Sequence, residues 1–432
     1  MRSPWLWVPT LYFAEGIPYF LVNNVSVMLF TRMGVPNGKM ALFTSLLYLP
    51  WTIKPLWSPF VDIFRTKRWW ILMMQLLLTA CFVGLTLSIP HPAQEVIDAT
   101  ATPISLFTGM LILFWVSAFL SATHDIAADG FYMLSLSEGD QSLFVGIRST
   151  FYRLSSIFGQ GVLIAVAGIL ETRTGNIPLA WQLTLLISSI LFALLTLWHT
   201  FALPHAERHH DVSENKGQGE RLLNVFVSFF RKPGIWIALI FMLLYRLPEA
   251  FMLKLVNPFL VGKNADGGLG LLTEQVGLLY GTIGVLFLTI GGILGGIYAS
   301  KKGLRKSLWI MALFITLPDA VYLWMSIAMP HSLWLIGSAI ALEQFGYGFG
   351  FTAYMLYLMW FADGEHKTSH YALCTAFMAI GMMLPGMVAG YLQEAVGYVW
   401  FFGIVMVLCL VTLAVTAIAY RQVPEEYGKS HK

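Results

Sequence analysis

The chain has 432 residues, of which 57% are hydrophobic and 11% charged, with a formal net charge of +3 and a mean hydropathy of +0.70. A water-soluble domain carries about a quarter charged residues, so most of this chain is solvated by something other than water. A net charge this small says little about partners, among which nucleic acid is not expected, and Cys81, Cys374 and Cys409 all fall inside apolar runs, where they read as buried small residues rather than disulfide partners or metal ligands.

Apolar runs long enough to cross about 30 Å of hydrocarbon recur over 5–30, 39–60, 69–89, 104–133, 143–170, 179–203, 234–260, 273–299, 307–329, 332–361, 369–394 and 398–420. Stretches such as LLISSILFALLTLW (185–198) are apolar on every side, which excludes the alternation of a transmembrane β-barrel. The expectation is an all-α polytopic membrane protein of about twelve transmembrane helices.

The first run is too long for a signal-peptide core and lacks a small-residue cleavage site, so it reads as a retained helix. At 100° per residue Glu15, Tyr19 and Asn23 share one stripe, and Gly16 and Pro18 break the regular helix beside them. The second run carries Tyr48, Trp51 and Lys54, the last just before Pro55, and ends in Asp62 followed by Arg65, Lys67 and Arg68. The fourth run closes on SATHDIAAD, with His124, Asp125 and Asp129 at membrane depth. An unpaired charge there costs several kcal/mol, so each of these residues needs a partner or a role.

The fifth run returns with Arg148, Tyr152 and Arg153. If the hairpin turns near 138–139, Asp129 faces Arg148 and Asp125 faces Arg153 one level deeper. The two arginines lie about 140° apart on a helix, so one pairs and the other, for which the deeper Arg153 is favoured, turns toward a cavity. His124 fits either a proton relay or a hydrogen-bonded structural role.

Residues 204–233 form the longest polar interval. His205, His209 and His210 in it read as solvated, not as a metal site, and ERLLNVFVSFFRK at its end has the pattern of an amphipathic helix at the headgroup level. Beyond it, the seventh run carries Arg246, Pro248, Glu249 and Asn257, the ninth Asp319 after Pro318 as a kink cap, and the tenth Glu343. Near the ends of the runs one side carries 17 Lys and Arg against four on the other, which places both termini in the cytoplasm.

The chain also repeats itself. EGIPYFLVN (15–23) pairs with EAFMLKLVN (249–257), LLY (46–48) with LLY (278–280), and FYMLSL (131–136) with AYMLYL (353–358), in order and at offsets of 222 to 234. This points to two six-helix halves, 1–203 and 234–432, joined by the linker 204–233.

That layout resembles the major facilitator superfamily, and SPFVDIFRTKR carries its signature between the second and third helices: Ser58, Asp62 and the basic run Arg65 to Arg68. FAEGIP, KPLWSPFVD, SATHDIAAD and YRL together are similar to the AmpG branch, related to the acetyl-CoA transporters. The resemblance implies proton-dependent import of anhydro-muropeptides, the sugar-peptide fragments of wall turnover, across the bacterial inner membrane. It also matches Asp125 and Asp129 to the family's acidic pair. His124 stands where the family usually has Gln, and Glu15 is an acid the family often lacks.

The reading is therefore a transporter and not an enzyme, with no cofactor and no metal, acting as a monomer in the bilayer on a sugar or sugar-peptide and on protons. Glu15, Asp125, Asp129, His124, Glu249 and Glu343 are the proton-coupling candidates. Asn23, Lys54, Tyr19, Tyr48, Trp51, Tyr152, Arg153, Arg246 and Asn257 are the substrate candidates, and Asp62, Arg65, Arg68 and Arg148 the cytoplasmic gate. Another metabolite, such as an acyl-CoA-like anion or simple sugar, and efflux on the same fold are the alternatives.

Overall fold

The computed structural model describes residues 3–92, 97, 102–205, 218–364 and 367–428; for residues 59, 62, 63, 138–143, 145, 218–223 and 368 it describes the backbone alone. The described residues are all helical or in short connections. Among them nine helices are long and apolar enough to cross a bilayer: Pro4–Arg32, Lys67–Leu87, Ile104–Ser135, Gly146–Thr174, Ile177–Ala202, Ile235–Val261, Thr273–Lys302, Leu304–Ala328 and Ser369–Ala419. Helix 67–87 shows why they suit lipid. It buries Ile71, Met74, Leu78, Phe82 and Leu85 at helical spacing, yet the opposite face, with Leu76, Leu77, Val83 and Leu87, is equally apolar and exposed.

Prolines explain where the expected runs are interrupted. The run 39–60 is divided into Asn37–Leu46, Leu49–Ile53, a 3-10 turn Lys54–Leu56 and Ser58–Ile63. Pro50, Pro55 and Pro59 each remove a backbone donor from it. At the other end, Lys367–Ala419 consists of two helices that meet at a kink at Gly397, whose φ of 77° and ψ of 168° suit glycine, between the two runs expected there. Among the described residues three helices contain a π-helical turn: Leu21–Val25, Ile157–Leu163 and Gly277–Gly284.

The chain divides into two compact units. The first comprises Met1–Pro36, Leu47–Lys216 and Thr273–Gly281, the second Asn37–Leu46, Gly217–Leu272 and Thr282–Lys432. The first unit has a core of Trp7, Val8, Leu11, Tyr12, Phe131 and Tyr132. The second is built on a stack of Phe241, Tyr245, Tyr354 and Tyr357 with Phe361 beside it. The end of the linker helix Gln218–Phe230 joins that second core. Phe229 is buried against Phe361 and Phe377, and Ser228 Oγ lies 3.0 Å from His370 Nε2. His209 and His210 lie outside the described residues.

Each unit contains one short segment from the other side of the linker, seated where only glycine fits. In the first unit a Cβ on Gly168 would stand 2.1 Å from Glu274 N, and one on Gly281 would stand 1.9 Å from Gln160 O. In the second unit a Cβ on Gly390 would stand 2.0 Å from Asn37 O. A carboxylate closes each seam. Glu171 takes both Arg32 Nε and Nη2 at 3.0 Å, Trp181 Nε1 at 2.8 Å and Thr273 Oγ1 at 2.7 Å. Glu394 accepts the Gly38 backbone N–H at 2.7 Å, at the start of helix 37–46, while Asn37 donates to Gln393 at 2.7 Å. Gly168 and Gly390 stand 222 positions apart and Glu171 and Glu394 stand 223 apart, within the offsets of the sequence repeat.

Glu171→Gln is expected to destabilise the purified protein by about 1–3 kcal/mol, because Arg32 loses its counter-charge while Trp181 and Thr273 keep only part of their acceptor. A melting curve in detergent checks this, and an unchanged midpoint would show that the cluster contributes nothing.

Candidate functional site

The site grows out of a close helix contact in the first unit. Gly16 faces helix Glu138–Ser156 so tightly that a Cβ there would stand 1.8 Å from Ser155 Oγ. That approach brings the first helix's polar stripe, Tyr12 and Glu15, onto the acidic turn of helix Thr108–Ser135. The Tyr12 hydroxyl donates to Asp129 Oδ1 at 3.0 Å. Arg148 reaches the same oxygen at 3.0 Å, and its guanidinium lies 4.5 Å from the Tyr12 ring centre and 5.1 Å from that of Tyr132. Lys54, held in its 3-10 turn by Pro55, pairs with Asp125 Oδ2. The Glu15 and Asp125 carboxyl groups face each other within hydrogen-bonding reach.

These groups surround a cavity of about 310 Å³ lined by Tyr12, Glu15, Asp125, Asp129, Arg148, Ser149 and Tyr152. Its ion pairs offset the cost of placing charge at this depth, and the cavity keeps part of each pair wet: the Asp129 side chain is 41% exposed. Next to it stands an aromatic shelf centred on Tyr19, with Trp51 at 5.2 Å and Tyr48 and Tyr152 each at 6.4 Å between ring centres. The π-helical turns Leu21–Val25 and Ile157–Leu163 follow Tyr19 and Tyr152 along their helices. Asn23 donates to Tyr19 O at 3.1 Å, and Asn24 donates to Gln160 Oε1 at 3.0 Å.

The helix 108–135 histidine looks the other way. Gln75 Nε2 donates to His124 Nε2 at 2.9 Å, Gln75 Oε1 lies 2.9 Å from His199 Nδ1, and His199 Nε2 lies 3.0 Å from Thr10 Oγ1. With the amide in this orientation His124 carries its proton on Nδ1. Gln75, His124 and His199 are buried and Thr10 is half-buried, and together they tie four helices.

The depth argument paired Asp125 with Arg153 and aimed Arg153 at the cavity, and here the structure differs. Asp125 pairs with Lys54, which the proline break carries across to it, and the arginine lining the cavity is Arg148. Arg153 is half-buried and is not among the lining residues, as its angle from Arg148 on the helix requires. Among the gate candidates, Arg68 donates to Thr200 O at 2.8 Å and Leu203 O at 3.3 Å, closing the end of helix 177–202. Arg65 stands 5.9 Å over the Trp69 ring, and the side chain of Asp62 lies outside the described residues.

The second unit gathers a parallel set. Arg246 donates to the Tyr347 hydroxyl and lies 4.8 Å from the Phe351 ring centre. Glu249 is buried within electrostatic reach of both Arg246 and Glu343. Glu343 accepts from Tyr322 at 3.1 Å and from Gln344 at 3.0 Å, and Asp319 is buried close to the same pair and accepts from the Cys409 thiol at 3.6 Å. Asn257 is also buried, with no partner for Oδ1.

Sequence reasoning missed Gln75, His199 and Ser149 as members of these networks. A glutamine and a histidine in the third and sixth apolar runs were visible signals, but nothing in their spacing says that they meet.

Asp129→Asn and Arg148→Gln are each expected to lower the thermal stability, and the double variant to lie nearer the wild type than the sum of the two. The coupling should be about 1 kcal/mol because both side chains are partly wet. Strict additivity would show that the pair carries no energy.

Comparison with known proteins supports a transport assignment. The family model of the Major Facilitator Superfamily matches residues 10–362. The chain is 26% identical over 400 residues to the anhydromuropeptide permease of Escherichia coli (strain K12), covering 91% of this chain and 74% of that protein. It is 24% identical over 416 residues to a putative transporter AmpG 4 of Rickettsia felis, covering 92% of each. Among solved structures, the nucleoside transporter NupG superposes with a TM-score of 0.69 at 13% identity, over 96% of this chain and 98% of that one. A D-xylose–proton symporter does so with a TM-score of 0.68 at 13% identity over 98% of both. At such identities the structures establish the fold, while the family model and the curated relatives place the sequence: the chain belongs to the major facilitator superfamily, as an AmpG-like transporter.

Proposed function

We propose that this chain is a secondary transporter of twelve spans, organised as 1–203, the linker 204–233 and 234–432, with both termini in the cytoplasm. It works as a monomer by alternating access in the bacterial inner membrane, and it imports anhydro-muropeptides or related amino-sugar saccharides with protons. The single observation that carries the substrate reading is the pairing of a charged, wet cavity with an aromatic shelf, in a chain similar over nine-tenths of its length to a permease named for that substrate.

The chemistry fits the cargo. Aromatic faces with polar tips stack on sugar rings, and Tyr19, Tyr48, Trp51 and Tyr152 supply them. Lys54, Arg148 and, in the other unit, Arg246 offer cations to the carboxylates of a peptide, with Arg153 as a further cation on the same helix as Arg148. Asn23 and Asn257 add amide groups for hydroxyl or acetamido contacts. Glu15, Asp125 and Asp129 in one unit and Glu249 and Glu343 in the other are the proton-accepting groups, with His124 behind the first set. Asp62, Arg65 and Arg68 form the cytoplasmic gate. The sequence contains no nucleotide-binding loop, so an ion gradient is the driver.

Uptake into proteoliposomes decides the matter. Labelled anhydro-muropeptide is expected to accumulate several-fold more with an inward proton gradient than without one, and more than simple amino sugars or acyl-CoA. Accumulation of acyl-CoA alone, indifferent to the gradient, would refute this function.

A further inference from the structure

The cavity between the first helix and helices 108–135 and 138–156 has a charge count that its ion pairs do not close. Among the described residues three carboxyl groups meet there, Glu15, Asp125 and Asp129, and two cations, Lys54 and Arg148. Asp129 is engaged by Arg148 and Tyr12, both on Oδ1. Asp125 is engaged by Lys54. Glu15 has no cation of its own. It is 8% exposed, one of its oxygens has only another carboxyl, Asp125, within reach, and Oε2, in a residue that lines the cavity, has no hydrogen-bond partner. The groups facing it from every packed element are Tyr12 on its own helix, Asp125 and Asp129, Arg148 and Tyr152, and Lys54. One positive charge is missing.

Two carboxyl groups within hydrogen-bonding reach repel each other unless one of them holds a proton and donates it. A metal cation would need about six oxygen ligands, and it would stand against the Lys54 ammonium. Among the described residues no three His, Cys, Asp or Glu side chains, these three carboxyl groups included, are placed so that they could hold a metal ion together. A proton needs only the two carboxyls that are already there.

We propose that this cluster binds a single proton, shared by Glu15 and Asp125, and that Lys54 and the proton alternate as the partner of Asp125. The proton arrives from water in the cavity, forms an O–H bond on Glu15 and is donated to Asp125. The Lys54 ammonium keeps its three protons and is freed to meet an anionic group of the cargo. When the proton leaves to water, Lys54 returns to Asp125. Arg148 and Asp129 stay paired throughout. This deepens the proton-coupled reading above and rests on it, because it assigns the coupling step to one pair and sets the ratio at one proton per cargo molecule.

The test separates the two. Infrared difference spectra of the full-length chain in liposomes, titrated between acidic and alkaline pH with no substrate present, should show the C=O stretch of one protonated carboxyl. Glu15→Gln should abolish that band and Asp125→Asn should shift its frequency, while Asp129→Asn should leave it in place. Lys54→Gln should move the midpoint of its loss upward by about one pH unit or more, a tenfold gain in proton affinity. Size-exclusion profiles of each variant report folding, and the Asp125→Asn frequency shift gives a second reading should Glu15→Gln fail to assemble. A band that survives Glu15→Gln unchanged, or a reversal potential in muropeptide-loaded vesicles corresponding to two protons per molecule, would overturn the inference and leave proton-driven import standing. The Glu15-dependent band together with uptake that ignores the gradient would instead overturn the transport reading.

Discussion

Charge burial in a low-dielectric interior governs how this molecule is put together. A carboxylate or ammonium at membrane depth costs several kcal/mol alone, and that cost is offset when an opposite charge and hydrogen-bond donors stand within about 3 Å. Asp129 meets this demand with Arg148 and Tyr12, Asp125 with Lys54, and Glu171 with Arg32, Trp181 and Thr273. The Asp129 and Glu171 clusters each join residues from three or more helices and the Lys54–Asp125 pair joins two elements, so neutralisation also fixes which helices are neighbours. Glu15 is the exception within the first cluster, and an exception of this kind marks a working group more than a structural one.

Small residues and prolines make such convergence geometrically attainable. Gly16 lets the Ser155 side chain of helix 138–156 press against the backbone of the first helix, and Gly168, Gly281 and Gly390 let backbone meet backbone at the two seams. Pro55 breaks a helix that would otherwise carry Lys54 past Asp125. The π-helical turns at 21–25 and 157–163 work in the same way. Each adds one residue to a turn, and they turn Asn24 and Gln160 onto each other. The offsets of the two seams, 222 and 223 positions, match those of the repeat read from the sequence. The chemistry of the two units differs: the first holds paired charges around a cavity, whereas the second holds Glu249, Asp319 and Glu343, with Arg246 in electrostatic reach of Glu249.

How much of this was legible in the chain follows from the physics of each signal. Apolar runs report helices directly, so the spans read from the sequence lie on the helices observed, apart from the proline-broken stretch 39–60. The Asp129–Arg148 pair was readable because an antiparallel hairpin relates depth to sequence number. The Lys54–Asp125 pair was not, because it depends on a bend between residues 71 apart whose direction no periodicity encodes. The same limit hid Gln75 and His199: long-range polar networks need helix rotations, and an apolar helix in lipid has no wet face to reveal its rotation. Tyr12 stood in plain view as an aromatic, but its hydroxyl's carboxylate partner appeared only with the fold.

A charged cavity that opens to water and receives the cargo is the centre of this account, and Ser149 is a suitable witness because it lines the cavity without taking part in any of its ion pairs. The three native cysteines are buried, so a Ser149→Cys variant offers a single accessible thiol. The decisive measurement is its rate of reaction with a small membrane-impermeant thiol reagent, with and without anhydro-muropeptide. The account predicts rapid labelling from the aqueous phase, slowed at least tenfold by the muropeptide. A thiol that does not react from water, or one that reacts at the same rate whether or not the muropeptide is present, would contradict it.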